Sequence, residues 1–252
     1  MKNIYKKYDI YHKKILYLKI FLYKKMLEKN KCFGCEFQSS ATKFLKTEEL
    51  EKLEKCSVGI SFKKNDIIFK ENIFSSNVIY LKKGIIKLHK KTSSKEKIIK
   101  IVKSPNYLGI PATFNEKFHY YSATALSDTI VCFIQKEKFK DFIYSNADFA
   151  YKIIKCLCEN EIILLEQCFN KSKKNVRGRI AETLLFFYNK IFHKKKFIIP
   201  LTRDEFGKYI DTSRESVSRV LTEFNNDKII NLTAKNVEIL NEKLLEIISE
   251  NG

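Results

Sequence analysis

No apolar run in the 252 residues reaches the ~18 needed to cross a bilayer, so a membrane-spanning protein is not expected. Gly-rich phosphate loops, Gly-x-Ser-x-Gly and His-Glu-x-x-His are all missing, which removes the usual signatures of nucleotide hydrolysis, esterase chemistry and zinc proteolysis. The four histidines are dispersed, and an enzyme is not expected. The seven cysteines are odd in number and irregularly spaced. They argue for reduced thiols in a cytoplasmic protein rather than a disulfide frame. Tryptophan is absent, and glycine, alanine and proline are few, whereas lysine, isoleucine, asparagine, tyrosine and phenylalanine abound. An AT-rich coding sequence gives that skew, so part of the formal charge of +19 is drift on solvated faces. Charge alone therefore supports a polyanionic partner only weakly.

What is present gives that charge a use. Residues 201–224 contain two short helical patterns joined by a tight turn. Thr202 and Glu205 form a capping box that starts the first helix, and Phe206 and Ile210 share its apolar face. Asp211-Thr212 makes the turn, and Thr212 or Ser213 caps the second helix. Val217, Val220, Leu221 and Phe224 face inward on that helix. Arg214, Glu215, Ser218 and Arg219 face outward near its start, the part that a recognition helix presents to the major groove of double-stranded DNA. Arginine can fork onto guanine and glutamate can accept from cytosine N4.

Thr202-Arg-x-Glu, Ser213-Arg-Glu-x-Val-x-Arg and the preceding Gly178-Arg-Ile-Ala-x-Thr-Leu-Leu185 resemble the DNA-binding half of the Crp/Fnr regulators. The resemblance runs from about Phe44 to Leu245. It implies an α+β chain with an N-terminal cyclic-nucleotide-binding-like β-roll (a jelly roll), a long dimerisation helix and a C-terminal winged helix-turn-helix. The expected division is a basic extension over 1–31, a sensor domain over 32–146, the dimerisation helix over 147–170 and the DNA-binding domain over 171–252. The implied partners are DNA, RNA polymerase and a second copy of the chain, with no membrane. Arg203, Ser213 and Thr202 match phosphate contacts, which position without specifying. Arg-Glu-x-x-x-Arg matches the Crp-like readers of TGTGA and Glu-x-x-Ser-Arg the Fnr-like readers of TTGAT; Ser218 favours the TTGAT-like half-site.

Short β-rich segments occupy 58–62, 67–69, 78–81, 85–88, 98–102, 122–125 and 129–135, divided by turns such as Lys82-Lys83-Gly84. From about Lys136 the pattern is helical. Phe149, Ile153, Cys156, Asn160, Ile163 and Gln167 recur at steps of four and three, which suits a dimer seam or a helix lying on its own domain. The resemblance favours the seam. Residues 229–232 and 237–240 read as the strands of a wing.

Nucleotide-binding members of the family carry Gly-Glu and, further on, Arg-Ser. Here Tyr121-Ser122 stands in place of Arg-Ser, and Asn106-Tyr107 or Gly109-Ile110 in place of Gly-Glu. A phosphate buried without a cation is costly, so cyclic AMP is not expected as the effector. Oxygen-sensing members bind a [4Fe–4S] cluster through Cys-x2-Cys-x5-Cys and one β-roll cysteine. Cys32, Cys35 and Cys132 match three of these ligands, but the remaining position is Ala41. An incomplete iron–sulfur cluster, a decayed or thiol-redox site, and another metal such as zinc all stay open. So does a different overall reading: a constitutive DNA binder with a degenerate sensor, tethered to a membrane surface by residues 1–31.

Overall fold

The computed structural model describes residues 35–92, 95–114 and 118–252; Cys32 and the 1–31 extension lie outside them. A short turn at Thr42–Phe44 leads to α1 (Thr47–Lys55). Eight strands follow: β1 (Ser57–Phe62), β2 (Ile67–Phe69), β3 (Asn77–Lys83), β4 (Ile85–Lys91), β5 (Glu96–Lys103), β6 (Asn106–Leu108), β7 (Ser122–Ala125) and β8 (Thr129–Gln135). The short helix α2 (Ile110–Phe114) sits between β6 and β7. The strands form two antiparallel four-stranded sheets, in the orders β1-β8-β3-β6 and β2-β7-β4-β5. The β3–β4 turn requires Gly84. Its φ is +110°, and a Cβ there would lie 2.4 Å from Thr129 Oγ1, so any side chain would be both strained and blocked.

Helix α3 (Lys136–Ser145) is followed after one residue by α4 (Ala147–Lys173). Asn146 separates them and caps α4, accepting from the Phe149 amide at 3.0 Å. At 27 residues, α4 is about 40 Å long. It continues past 170 into the stretch expected to open the DNA-binding domain, leaving Lys174–Asn175 as the link. The second half comprises α5 (Val176–Phe186), a wide turn at Phe187–Phe192, β9 (Lys196–Ile198), α6 (Arg203–Ile210), α7 (Arg214–Asn226), β10 (Ile230–Thr233), β11 (Asn236–Ile239) and α8 (Glu242–Asn251). β10, β11 and β9 form the wing sheet. β6 and β9 had no counterpart in the sequence pattern.

Three apolar cores result. One fills the β-roll, with Ile79, Leu81, Ile86 and Val131 almost fully buried. A second joins the roll to α1, α3 and α4 through Tyr80, Phe139, Phe142, Phe149 and Ile153. The third belongs to the DNA-binding half but also takes in Ile98, Ile101 and Leu126 from the roll. Ion pairs surround that third contact. Lys87 lies 2.8 Å from Glu205, Lys208 lies 3.1 Å from Glu96, and Lys97 lies 3.0 Å from Asp211.

Candidate nucleic-acid interface

The α6–α7 pair is set by its caps. Thr202 accepts from the Glu205 amide at 3.1 Å, and Glu205 accepts from the Thr202 amide at 2.8 Å, which is the expected capping box. Asp211 ends α6 in the left-handed conformation, with φ 58° and ψ 56°, a state that aspartate tolerates better than most residues. Ser213, rather than Thr212, caps α7 by accepting from the Ser216 amide at 3.1 Å. The sequence reading missed Gly207. A Cβ there would lie 2.6 Å from the Thr212 carbonyl, so the sharp approach of the two helices depends on its bare Cα.

Val217, Val220, Leu221 and Phe224 are buried, which turns the opposite side of α7 outward. Arg214, Glu215 and Arg219 are exposed and Ser218 is half-buried. Arg214 and Glu215 occupy the first turn, where unpaired helix amides favour anions. The Ser218 hydroxyl donates to the Arg214 carbonyl at 3.0 Å. Arg219 leans towards Glu223, Nε to Oε1 3.8 Å, while staying largely exposed; so open a pair is weak and easily given up.

The three expected phosphate contacts have other duties as well. Thr202 and Ser213 are caps whose hydroxyl oxygens accept amide protons. Arg203 donates through Nη2 to the Ala234 carbonyl in the wing turn at 3.0 Å. Burial holds the Arg203 pKa below its ordinary value. Lys235, at the wing tip, was not foreseen. Its pKa is lowered by burial and further by Lys64 and Arg203, against the pull of Glu205. Like charges gathered in this way favour a polyanion.

Four of the six expected seam residues of α4 face the chain's own domain. Phe149 and Ile153 are 0% and 2% exposed in the core with Phe139 and Phe142. Cys156 is half-buried, and burial raises its thiol pKa. Asn160 accepts from Lys100 Nζ of β5 at 2.6 Å. Gln167 donates to the Tyr209 hydroxyl at 3.2 Å, and Ile163 borders the same region. Phe149 and Ile153 of the stripe read as a seam are therefore core, Cys156, Asn160 and Gln167 are half-buried, and Ile163 is exposed. The opposite face carries Tyr151, Ile154, Cys158, Ile162, Leu165 and Phe169, all exposed. Their steps of three and four also make a seam, in a different register.

In the sensor domain, His119 stacks on Phe69 with ring centroids 4.2 Å apart. The Tyr121 hydroxyl accepts from the Gly109 amide at 3.3 Å. Aromatic packing thus occupies the neighbourhood where the resemblance places a phosphate clamp. Cys35 and Cys132 line one small pocket with Tyr80 and Tyr107. The Tyr80 hydroxyl donates to the Phe37 carbonyl at 2.8 Å, and its pKa is raised by burial and by the two cysteines. Ala41 is buried in the same core, and Cys56 donates to the Leu53 carbonyl at 3.3 Å. Among the described residues no three His, Cys, Asp or Glu side chains are grouped to hold a metal ion. Cys35 and Cys132 are two of the three thiols expected at a cluster; the third, Cys32, lies outside the described residues, and Ala41 offers no ligand at the remaining position.

A β-roll joined by a long helix to a winged helix-turn-helix is the architecture of a DNA-binding transcription regulator. Comparison with known proteins agrees in each half. Residues 60–146 match the cyclic nucleotide-binding domain model, and residues 178–248 match the Crp-like helix-turn-helix model. The chain is similar to the transcriptional activator protein Anr of Pseudomonas protegens. The two are 25% identical over 201 residues, covering 78% of this chain and 82% of Anr. It is also similar to the cAMP-activated global transcriptional regulator CRP of Salmonella typhimurium, at 26% identity over 171 residues, 66% of this chain and 81% of that one. In fold it is similar to FixK2 of Bradyrhizobium japonicum, with TM-score 0.70 and 18% identity over 76% of this chain and 96% of that one. A Crp/Fnr-family regulator from Eubacterium rectale also gives TM-score 0.70 at 18% identity, over 84% and 98%. The chain belongs to the Crp/Fnr family of transcription regulators. Among the described residues no helix is long and apolar enough to cross a membrane.

Proposed function

We propose that this regulator acts in the cytoplasm as a homodimer that binds a palindromic, TTGAT-like operator and engages RNA polymerase there. The observation that carries the reading is the first turn of α7, where Arg214 and Glu215 stand exposed over a serine-capped helix start. Arg219 forks onto guanine and Glu215 faces a cytosine, each pairing contributing ~1–3 kcal/mol of discrimination. Arg203, Thr202, Ser213 and Lys235 hold phosphates. The outward face of α4, from Tyr151 to Phe169, is the dimer seam, and two-fold symmetry spaces the half-sites about one helical turn apart. A randomised-site selection at fixed salt tests this. Glu215→Ala should relax the preference at one base pair per half-site. Lys235→Ala should weaken all sequences alike and lower the salt slope. An unchanged selected sequence with Glu215→Ala would show that α7 is not the reading helix.

The signal is read as redox rather than cyclic AMP. The aromatic filling around His119 and the two thiols beside Tyr80 support this. DNA affinity should differ between protein handled with and without oxygen, and Cys35→Ser should remove the difference. Micromolar binding of cyclic AMP by calorimetry would overturn the reading.

A further inference from the structure

A cleft of about 360 Å³ lies between the C-terminal half of α4 and the DNA-binding half. Its volume falls in the range of small-molecule sites, roughly 300–1,000 Å³. Ile163 of α4, Phe186 of α5 and Ile210 of α6 give it an apolar lining.

Two polar atoms in its walls are buried and have no hydrogen-bond partner among the described residues: Gln167 Oε1 and Arg179 Nε. Such atoms are rare because each forfeits its water without a replacement. Gln167 is oriented by its amide nitrogen, which donates to the Tyr209 hydroxyl at 3.2 Å, so its carbonyl oxygen is a fixed, open acceptor. Arg179 Nε is an open donor. The charges around them are unequal in availability. Glu182 is already engaged by Asn170 and by Lys174, the latter at 3.3 Å. Arg179 and Lys190 then face Glu166 alone among the lining charges.

We propose that this cleft binds a small carboxylic acid with an apolar side chain and a hydrogen-bond donor beside the carboxylate, the chemistry of apolar 2-amino and 2-hydroxy acids. The carboxylate accepts from Arg179 Nε, the adjacent ammonium or hydroxyl donates to Gln167 Oε1, and the side chain packs on Ile163, Phe186 and Ile210. Gln167 belongs to α4 and Arg179 to α5, so the ligand braces the two-residue link at Lys174–Asn175. It thereby biases how the DNA-binding half sits on α4. The regulatory consequence rests on the DNA-binding reading; the site itself does not.

Calorimetry on the full chain without DNA tests the site. The probes are leucine, phenylalanine, 2-hydroxy-4-methylpentanoate and phenyllactate, with leucinamide and 4-methylpentanoate as analogues lacking the carboxylate or the donor. At least one amino or hydroxy acid should bind with Kd below about 1 mM, and its deficient analogue at least about tenfold more weakly. Which set binds distinguishes the two ligand sources. Arg179→Gln and Ile163→Trp, one removing the donor and one filling the cleft, should each abolish binding. The proposal is overturned if no acid binds in that range, if the analogues bind equally well, or if binding survives both substitutions. Operator binding measured separately shows whether the DNA-binding reading stands or falls on its own.

Discussion

The β-roll meets the rest of the chain at two interfaces of different construction. Against α4 the contact is apolar and aromatic. Tyr107 of the roll packs on Phe139 of α3 with ring centroids 5.8 Å apart, and Phe149 of α4 packs edge-on against Phe139 and Phe142 of α3, at 5.5 and 6.1 Å. Against α6 an apolar patch of Ile98, Ile101 and Leu126 is ringed by charge pairs, Lys87–Glu205, Lys208–Glu96 and Lys97–Asp211. Apolar burial responds little to salt or proton concentration, whereas ion pairs respond to both. The first interface thus makes α4 a permanent part of the sensor domain. The second rests partly on ion pairs and is the one that salt and pH should weaken.

The largest expected effect lies at the first interface. Phe149→Ala empties a fully enclosed site and should cost ~3–5 kcal/mol of unfolding free energy in urea titrations. The outward face should behave in the opposite way. Ile154→Asp with Leu165→Asp removes no intrachain core, so protomer stability should move by ~1 kcal/mol or less. Sedimentation should nevertheless report monomers, and operator affinity should fall with them. Monomers from Phe149→Ala at unchanged stability, or dimers from the double aspartate, would reverse the two faces.

The charge ring should give a smaller effect. Glu205→Gln keeps the capping box, because glutamine serves there as well as glutamate, yet removes the nearer of the two carboxylates facing Lys87, leaving Glu96 at 3.7 Å. Paired with Lys87→Met in a double-mutant cycle, it should reveal a coupling of ~1–3 kcal/mol. The double variant should recover much of the single-variant loss, since a partly buried ion pair suffers most when one partner is left alone. Hydrogen exchange along α6 should speed up in the single variants while α4 stays protected. A coupling near zero would mean that Ile98, Ile101 and Leu126 hold this interface unaided.

These two interfaces also mark where the sequence was readable. The helix-turn-helix was legible in detail because caps are local: Thr202 with Glu205, Asp211 and Ser213 act on residues at most four positions away. Seven of the eight roll strands were legible because turn chemistry brackets them. The orientation of α4 was not. The helix carries apolar residues on two opposite faces, one through Phe149 and Ile153 and one through Ile154 and Leu165, and periodicity finds a stripe without saying what covers it. The resemblance favoured a dimer seam for the stripe through Phe149 and Ile153, two residues that the structure buries against the chain's own domain. The charge ring had no local signature at all, since Lys87 and Glu205 are 118 residues apart. β9 was hidden behind Lys194–Lys196, a charge run that reads as loop until Val237 is seen opposite Phe197.

The smallest expected effect is a pH dependence of the second interface, and His89 sets its onset. Its Nδ1 lies 2.8 Å from Glu96 Oε1 and its Nε2 lies 2.8 Å from Thr124 Oγ1. This arrangement suits the neutral ring, with the proton on Nδ1. Burial, then the charge of Lys87, lower its pKa from the ordinary 6.5, outweighing Glu96, Glu71 and Glu205. A base whose folded pKa is depressed contributes stability that is complete above its unfolded value and lost as the pH falls through the folded one. Glu96 and Glu205 act in the same direction at lower pH. Burial would raise their pKa values, but Lys208, Lys87 and His89 for Glu96, and Lys87 and Thr202 for Glu205, hold them below 4.5. Acidification should therefore lower stability in two stages, a shallow one beginning below 6.5 and a steeper one beginning below 4.5. His89→Gln should remove the first stage and leave the second. Urea midpoints measured from pH 8 to about pH 2 check this, and a first stage that survives His89→Gln would assign it to a different group.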